Sequence, residues 1–483
     1  MNSKQPNVPT ILIIFGATGD LMAKKIAPAL FHLFEKQKLP QLFKIIGVAR
    51  RNISNEDFQN NILQIITQHL DSQRERNKLS SFLQLFSYSQ GKFENKSDYQ
   101  QLATTLGQID GYWQVCSNKL FYLAVPPQYY ETIFKNLAAT ELTKPCSEEE
   151  GWTRVLVEKP FGKDLKTSQD LDKLLATLFK EEQIYRIDHY LAKEMLQNIL
   201  VFRFSNNLFE TNWNNQSIEK IEIKLWETIG VEDRGSFYDG IGALRDVGQN
   251  HLLQILALMT MEHPVSFEVE VIRKNRSGTL KQLSTFSKKE IISSTFRAQY
   301  EGYRSIQGVD KNSATETYFK IKTNLHSPRW LGVPIVMEGG KRLHEARKEV
   351  IVTFKHPTPC LCPPGITEHY KNQVVFSLEP KEGITILFWS KKEGLEFEID
   401  ERTFDFLYRN KEKKSQYVEE YEKLLLDCIV GDQTLFVSTE EVKQMWQFID
   451  PVVKAWEQNL VPLKNYQPDT DRAIIESAFI EED

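Results

Sequence analysis

A short apolar run that ends in a glycine turn constrains this chain most. Thr10–Phe15 (TILIIF) is a continuous β-prone stretch of the kind found in strands buried on both faces, and Gly16-Ala17-Thr18-Gly19-Asp20-Leu21 follows it directly. Leu21, Ile26, Leu30, Phe31, Leu33 and Phe34 then recur near helical spacing, and residues 44–49 read as the next strand. The unit is β-α-β. In such a unit the glycines let backbone approach a pyrophosphate, and the N–H groups of the first helical turn receive its charge with the helix dipole. Gly16, Ala17, Thr18, Gly19, Asp20 and Leu21 are therefore candidate cofactor contacts. A site selective for NAD usually ends its second strand with an acid for the ribose 2′-hydroxyl, whereas here Ala49 is followed by Arg50 and Arg51. A guanidinium grips phosphate oxygens bidentately where a carboxylate would repel them, so Arg50 favours NADP over NAD.

Further along, residues 118–125 form another buried-strand run that stops at Pro126-Pro127, because proline offers no N–H to a ladder. Residues 153–158 form the next, ending in Lys159-Pro160-Phe161-Gly162. In an open parallel sheet the ligand crevice lies outside the carboxyl ends of the strands, so the segments holding Gly16, Pro126 and Lys159 are expected to converge there. After about residue 185 alternating segments replace the βα units, as in residues 220–226, 349–354 and 384–389, with helical patterns near 240–259 and 415–458 to cover one face. The expected fold is an α/β Rossmann domain over residues 1–185, plus a larger α+β domain over 186–483 with a mostly antiparallel sheet for substrate binding and oligomerisation. That division suits 483 residues, too long for one small core.

Sixty Lys and Arg against 65 Asp and Glu leave a net charge of -5, which gives no global field to hold nucleic acid or an anionic membrane. Any anion must be met locally. The first ten residues carry one Lys and no long apolar segment, and the longest early apolar run falls far short of the roughly 20 residues of a membrane span, so a cytoplasmic protein is expected. Five cysteines are too few and too odd in number for a disulfide framework, which agrees with a reducing compartment. His356, Cys360, Cys362 and His369 offer metal-ligand types, but the prolines among them mark a loop, and no metal is expected. The run Lys411 to Lys414 reads as a solvated turn.

Near the expected domain boundary, Arg186-Ile187-Asp188-His189-Tyr190-Leu191-Ala192-Lys193-Glu194 concentrates charge, and His189, Tyr190 and Lys193 can each donate to a phosphate monoester. With the Gly16–Leu21 turn and the Glu158-Lys159-Pro160 strand end, this segment resembles the glucose-6-phosphate dehydrogenase family, whose pattern has Gly where Ala192 stands. Ordered matches continue through Phe121 to Pro127, Arg245 to His251, Gly340 to Leu343 and Gly431 to Phe436. The resemblance implies NADP-dependent oxidation of D-glucose 6-phosphate to the 6-phosphoglucono-lactone, the first step of the pentose phosphate pathway, in a homodimer or homotetramer. It assigns His251 as the general base at the C1 hydroxyl, and an imidazole suits that task because its ordinary pKa lies near neutrality. A carboxylate such as Asp188 can fix the tautomer of that base and stabilise the imidazolium that forms. His189, Tyr190, Lys193 and Lys341 become substrate-phosphate contacts, and Glu227 and Asp246 acceptors for sugar hydroxyls. Lys159 is placed near both substrate and nicotinamide, before a cis proline.

Departures from the family pattern leave other readings open, a related sugar-phosphate dehydrogenase with altered substrate or NAD use, or a catalytically silent NADP-binding protein. Ala346, with Arg347 beside it, stands where a second basic residue is usual, and Glu338 replaces an arginine. Ser377 stands where animal relatives carry an arginine for a second, structural NADP, and the Gly-Ser-Trp-Gly-Pro run near the C-terminus is missing, so one NADP per chain is expected.

Overall fold

The computed structural model describes residues 8–68, 78–147, 150–359, 362, 370–408 and 419–481. Two compact units emerge, one of Met1–Gly162, Lys166–Ala192 and Val418–Val442, the other of Lys163–Leu165, Lys193–Tyr417 and Lys443–Asp483. The chain thus passes from one unit to the other after Ala192 rather than at 185, and it returns to the first unit near its C-terminal end.

The first unit holds the parallel strands β1 (Thr10–Phe15), β2 (Phe43–Ala49), β3 (Phe86–Gln90), β4 (Asn118–Leu123), β5 (Thr153–Glu158) and β6 (Ile184–Ile187), in the order β6-β5-β4-β1-β2-β3. Every residue of β1 and β4 is buried, as their unbroken apolar runs require. The edge beside β6 is closed by the returning segment, whose Phe436–Val437 pairs antiparallel with Ile187 and Arg186. Buried Arg186 donates to Asp172 (2.9 Å), Glu181 (3.1 Å) and Thr439 Oγ1 (2.5 Å), so this member of the charged 186–194 run is structural. The helix Glu420–Val430 brings Glu422 under the first helix of the unit, where it meets His32 Nδ1 at 2.8 Å and Lys36 Nζ at 2.5 Å. The expectation that 415–458 covers the antiparallel sheet therefore fails for this helix. Gly431, at φ 92, ends it and turns the chain toward the edge strand.

The cysteines also correct the sequence reading. Cys116 and Cys146 are joined in a disulfide, with Cα atoms 6.4 Å apart. They lie just before β4 and β5, adjacent parallel strands whose amino ends abut, and spacing alone does not reveal that neighbourhood. Cys428 is free and buried. Cys360, His369 and the Lys411 to Lys414 run lie outside the described residues.

The second unit is built on a sheet of β7 (Ile218–Trp226), β8 (Thr295–Tyr300), β9 (Tyr318–Thr323), β10 (Ile335–Gly340), β11 (Arg347–Phe354), β12 (Gln373–Glu379), β13 (Gly383–Lys391) and β14 (Ile399–Leu407). Their order is β14-β13-β12-β11-β7-β10-β9-β8, with Lys464–Tyr466 added parallel to β8. The pairing is antiparallel except there and between β7 and β10. No described helix is long and apolar enough to cross a membrane.

Candidate active site

Strand register assembles the carboxyl edge of the first sheet. Phe15 pairs with Val48 and Leu123, Leu123 with Val157, and Glu158 with Ile187, so β1, β2, β4, β5 and β6 end at one level. Gly16, Arg50, Pro126, Lys159 and Asp188 therefore emerge along one edge, which the sequence led one to expect for the segments of Gly16, Pro126 and Lys159. At Gly16 the chain turns with φ 85, and a Cβ would lie 2.3 Å from the Ala124 carbonyl oxygen. Only glycine fits so close to the end of β4. Gly19 N–H closes the turn on Gly16 O at 2.9 Å, and the chain is helical from Asp20 to Glu35. Ala17, Thr18 and Leu21 lie within this turn and the start of the helix.

Arg50 projects from the end of β2 toward the loop that follows β4, its guanidinium carbon 6.0 Å from the Tyr129 ring centroid. Among the described residues no carboxylate lies within 4 Å of it. An exposed arginine without an acid partner, beside an aromatic face and a glycine cradle, fits the phosphorylated end of a dinucleotide. At the end of β5 the Lys159-Pro160 bond is cis. The preceding Glu158 accepts from Tyr122 Oη (2.6 Å) and Tyr421 Oη (3.2 Å), and its carbonyl accepts from Tyr130 Oη (3.0 Å). Burial outweighs the two phenol donors and pushes the Glu158 carboxyl up to about 7. After β6, buried Asp188 accepts the Tyr190 N–H at 3.1 Å through Oδ1, while the rings of His189 and Tyr190 meet edge to face at 5.1 Å.

The second unit gathers the cationic residues. Because β7 and β10 are parallel neighbours, with Trp226 opposite Gly340, the residues that follow them meet. Glu227 N–H donates to Gly340 O at 2.9 Å, and Lys341 Nζ reaches Glu227 Oε2 at 2.5 Å. Strand β11 starts where β7 ends, Arg347 opposite Trp226, and a bulge between Lys348 and Glu349 interrupts its pairing with β12. Lys348 Nζ there meets Glu379 at 2.6 Å and Glu227 at 3.7 Å. Glu379 also accepts from Lys193, which is buried at the start of helix Glu194–Phe204. Burial alone would raise Glu379, but its hydrogen bonds from Lys193 and Lys348 hold the carboxyl below its ordinary value. The result is a chain of three ammonium groups and two carboxylates.

Asp246 and buried His251 share the helical stretch Leu244–Leu252, which winds with the wide i→i+5 pattern. Residues five apart diverge by about 140° on an α-helix, whereas this winding sets them one hydrogen-bonded turn apart. Tyr238 lies near both this stretch and Lys341. Burial raises its phenol and the Asp246 charge raises it further, while Lys341 Nζ sits 5.6 Å from its ring.

Residues 13–198 match the family profile described as glucose-6-phosphate dehydrogenase, NAD binding domain, and residues 200–483 match the profile of its C-terminal domain. The chain belongs to the glucose-6-phosphate dehydrogenase family. The chain is 38% identical to a glucose-6-phosphate 1-dehydrogenase of Chlamydia pneumoniae over 500 residues, covering 100% of this chain and 96% of that one. It is 35% identical to the Bacillus subtilis protein of that name, over 96% of this chain and 95% of the relative. A solved glucose-6-phosphate dehydrogenase in complex with its substrate glucose-6-phosphate superposes with a TM-score of 0.88 at 33% identity, covering 99% of this chain and 98% of that one. The Mycobacterium avium enzyme superposes at 0.81, with 30% identity over 97% and 96% of the two chains.

Two departures from the glucose-6-phosphate dehydrogenase pattern acquire a physical setting. Glu338 is buried and accepts from Tyr318 Oη at 2.5 Å. Arg347 pairs with Glu345 at 2.7 Å and lies over the Trp226 ring at 5.3 Å, so Lys348, rather than Arg347, joins the cationic chain. The sequence reading missed Lys348 and its partner Glu379. Period-two alternation, carried back from buried Val350 and Val352, puts Lys348 on their face and was the available signal. Tyr129 and Glu158 carried no comparable signal, since their partners lie far away in sequence.

Proposed function

We propose that this chain oxidises D-glucose 6-phosphate to 6-phospho-D-glucono-1,5-lactone with NADP. The observation that carries the reading is the chain Lys193–Glu379–Lys348–Glu227–Lys341, which holds one more cation than anions and is fixed by ion pairs before any ligand arrives. Such a cluster suits a phosphate dianion, which can take ammonium donors from carboxylates that are themselves repelled by it. Lys193 and Lys341, with His189 and Tyr190, are assigned to the phosphate, and Lys348 takes the part for which Ala346 has no charge. Glu227 and Asp246 are assigned to sugar hydroxyls.

NADP, when bound, accepts the hydride that leaves C1. His251 is the proposed acceptor of the C1 hydroxyl proton, so that the C1–O bond gains double-bond character as hydride departs. Asp188 is the proposed partner that fixes the tautomer of the imidazole and stabilises its protonated form. Lys159 is assigned to the neighbourhood of the reacting carbon, Arg50 to the 2′-phosphate, and Gly16, Ala17, Thr18, Gly19, Asp20, Leu21 and Pro126 to the rest of the cofactor. The same reading sets the enzyme in the cytoplasm, at the entry to the pentose phosphate pathway, with one NADP per chain. Titration calorimetry showing tight binding of a second NADP would reject that stoichiometry. It also makes the protein a homodimer or homotetramer through the outer strands of the large sheet. There the edge strand β14 exposes Phe404 and Phe406, and Phe404 stacks on Phe388 at 4.3 Å.

Absorbance at 340 nm with NADP and glucose 6-phosphate, then with NAD, then with unphosphorylated glucose, tests the whole reading. Reduction that needs the phosphate and prefers NADP is the expected result. Equal rates with glucose would reject the assigned phosphate site, and no reduction with any pair would leave a silent cofactor-binding protein.

A further inference from the structure

We propose that a cavity of about 610 Å³ in the second unit is a separate anion site, built for a small phosphorylated molecule carrying at least two negative charges. Arg245, Arg297 and Arg304 line it from three elements: the stretch Leu244–Leu252, strand β8 and the turn Tyr303–Ser305. Each holds its Nε–H on a neutral backbone carbonyl: Arg245 on Ile241 O (2.8 Å), Arg297 on Val461 O (2.8 Å) and Arg304 on Ser313 O (3.0 Å). A guanidinium anchored this way keeps its orientation, and offers its remaining amino groups to the cavity.

Those groups are only partly used. Arg245 Nη2 donates to Gly240 O (2.7 Å) and Arg297 Nη2 to Asn459 Oδ1 (3.1 Å). Among the described residues, Arg297 Nη1 and both Nη atoms of Arg304 have no hydrogen-bond acceptor, and no carboxylate lies within 4 Å of either guanidinium. Arg245 alone meets an acid, exposed Glu457, at 3.7 Å. The other acid of the lining, Glu316, accepts the Leu244 N–H at 3.0 Å, and burial pushes its carboxyl up, which lessens its opposition to an anion. Arg297 is only 4% exposed; the Glu316 charge reaches it through space but takes no hydrogen bond from it, which leaves Nη1 for an anion in the cavity. The free fork of Arg304, with the Nη1 groups of Arg297 and Arg245 around the same space, matches the several oxygens of a phosphate better than a single carboxylate, and the volume falls in the range of small-molecule sites. None of these arginines is among the residues assigned to substrate or cofactor.

The test is titration calorimetry of the full chain with inorganic pyrophosphate, comparing the wild type, Arg304→Glu, Arg304→Gln and the double variant Lys193→Ala/Arg50→Ala, which weakens the substrate and cofactor sites. Arg304→Glu is expected to weaken one class of pyrophosphate site at least tenfold, Arg304→Gln less, while the double variant keeps that site. Binding is read without turnover, so the result stands apart from the proposed activity. An unchanged isotherm in Arg304→Glu, or loss of all pyrophosphate binding in the double variant, overturns the proposal. Sedimentation showing that Arg304→Glu breaks the oligomer would also overturn it, by assigning the arginines to a contact between copies.

Discussion

Replacing Glu158 by glutamine isolates a proton that the folded first unit holds near neutral pH. The carboxyl moves from an ordinary 4.5 to about 7 because burial outweighs the phenol donors Tyr122 and Tyr421. At about 1.4 kcal/mol for each tenfold change in proton affinity, the full effect is about 3 kcal/mol. Its sign follows from which state binds the proton. Between pH 4.5 and 7 the unfolded carboxyl has released its proton while the folded one keeps it, so stability falls as pH rises through this window and levels off above it. Glutamine does not titrate, and its amide oxygen can accept from the same two phenols. The variant should therefore match the wild type near pH 4, below the unfolded value, and exceed it by up to about 3 kcal/mol at pH 8. Opening free energies of the β4 and β5 amides, from native-state hydrogen exchange corrected for intrinsic rates at each pH, read this unit by itself. Parallel pH profiles for the two proteins would refute the reasoning.

Three substitutions probe the assigned chemistry. His251→Asn should lower kcat by about 10² or more with a smaller change in KM, as measured in steady-state assays, and near-normal turnover would remove it as the base. Arg50→Ala should raise the KM for NADP about 10- to 100-fold, the scale of one charged hydrogen-bonding group, and leave NAD nearly unaffected. Equal losses for both cofactors would show that Arg50 does not read the 2′-phosphate. Lys348→Ala should raise the KM for glucose 6-phosphate about tenfold with kcat largely kept, and an unchanged KM would take Lys348 out of the phosphate site.

The parts legible in the sequence were those encoded by neighbours in the chain. The run Thr10–Phe15 and the turn at Gly16 specify a strand and its glycine by local pattern, and the three expected strand ends do share one edge. The alternation in β7, β11 and β13 announced the second sheet. What escaped depends on contacts between distant residues. Arg186 read only as one charge in a dense run, and its partner Thr439 lies 253 positions away. Lys348 was passed over because Arg347 stands nearer the family's usual position, and its pairing with Glu379 beside the bulge is a contact between separate strands. Cys116 and Cys146 meet because their strands are adjacent, a fact of topology.

The return of Val418–Val442 to the first sheet sets an order in time. A growing chain completes β6 nearly 250 residues before its partner Phe436–Val437 is made. At about 5–20 residues per second, that interval lasts roughly 12–50 seconds. Throughout it the edge of β6 has no partner strand, Arg186 lacks Thr439, and Glu158 lacks the phenol of Tyr421. The cofactor-binding unit, first to be synthesised, is therefore among the last parts to close. A nascent chain stalled before residue 420 should expose that edge to chaperones and to other copies of itself.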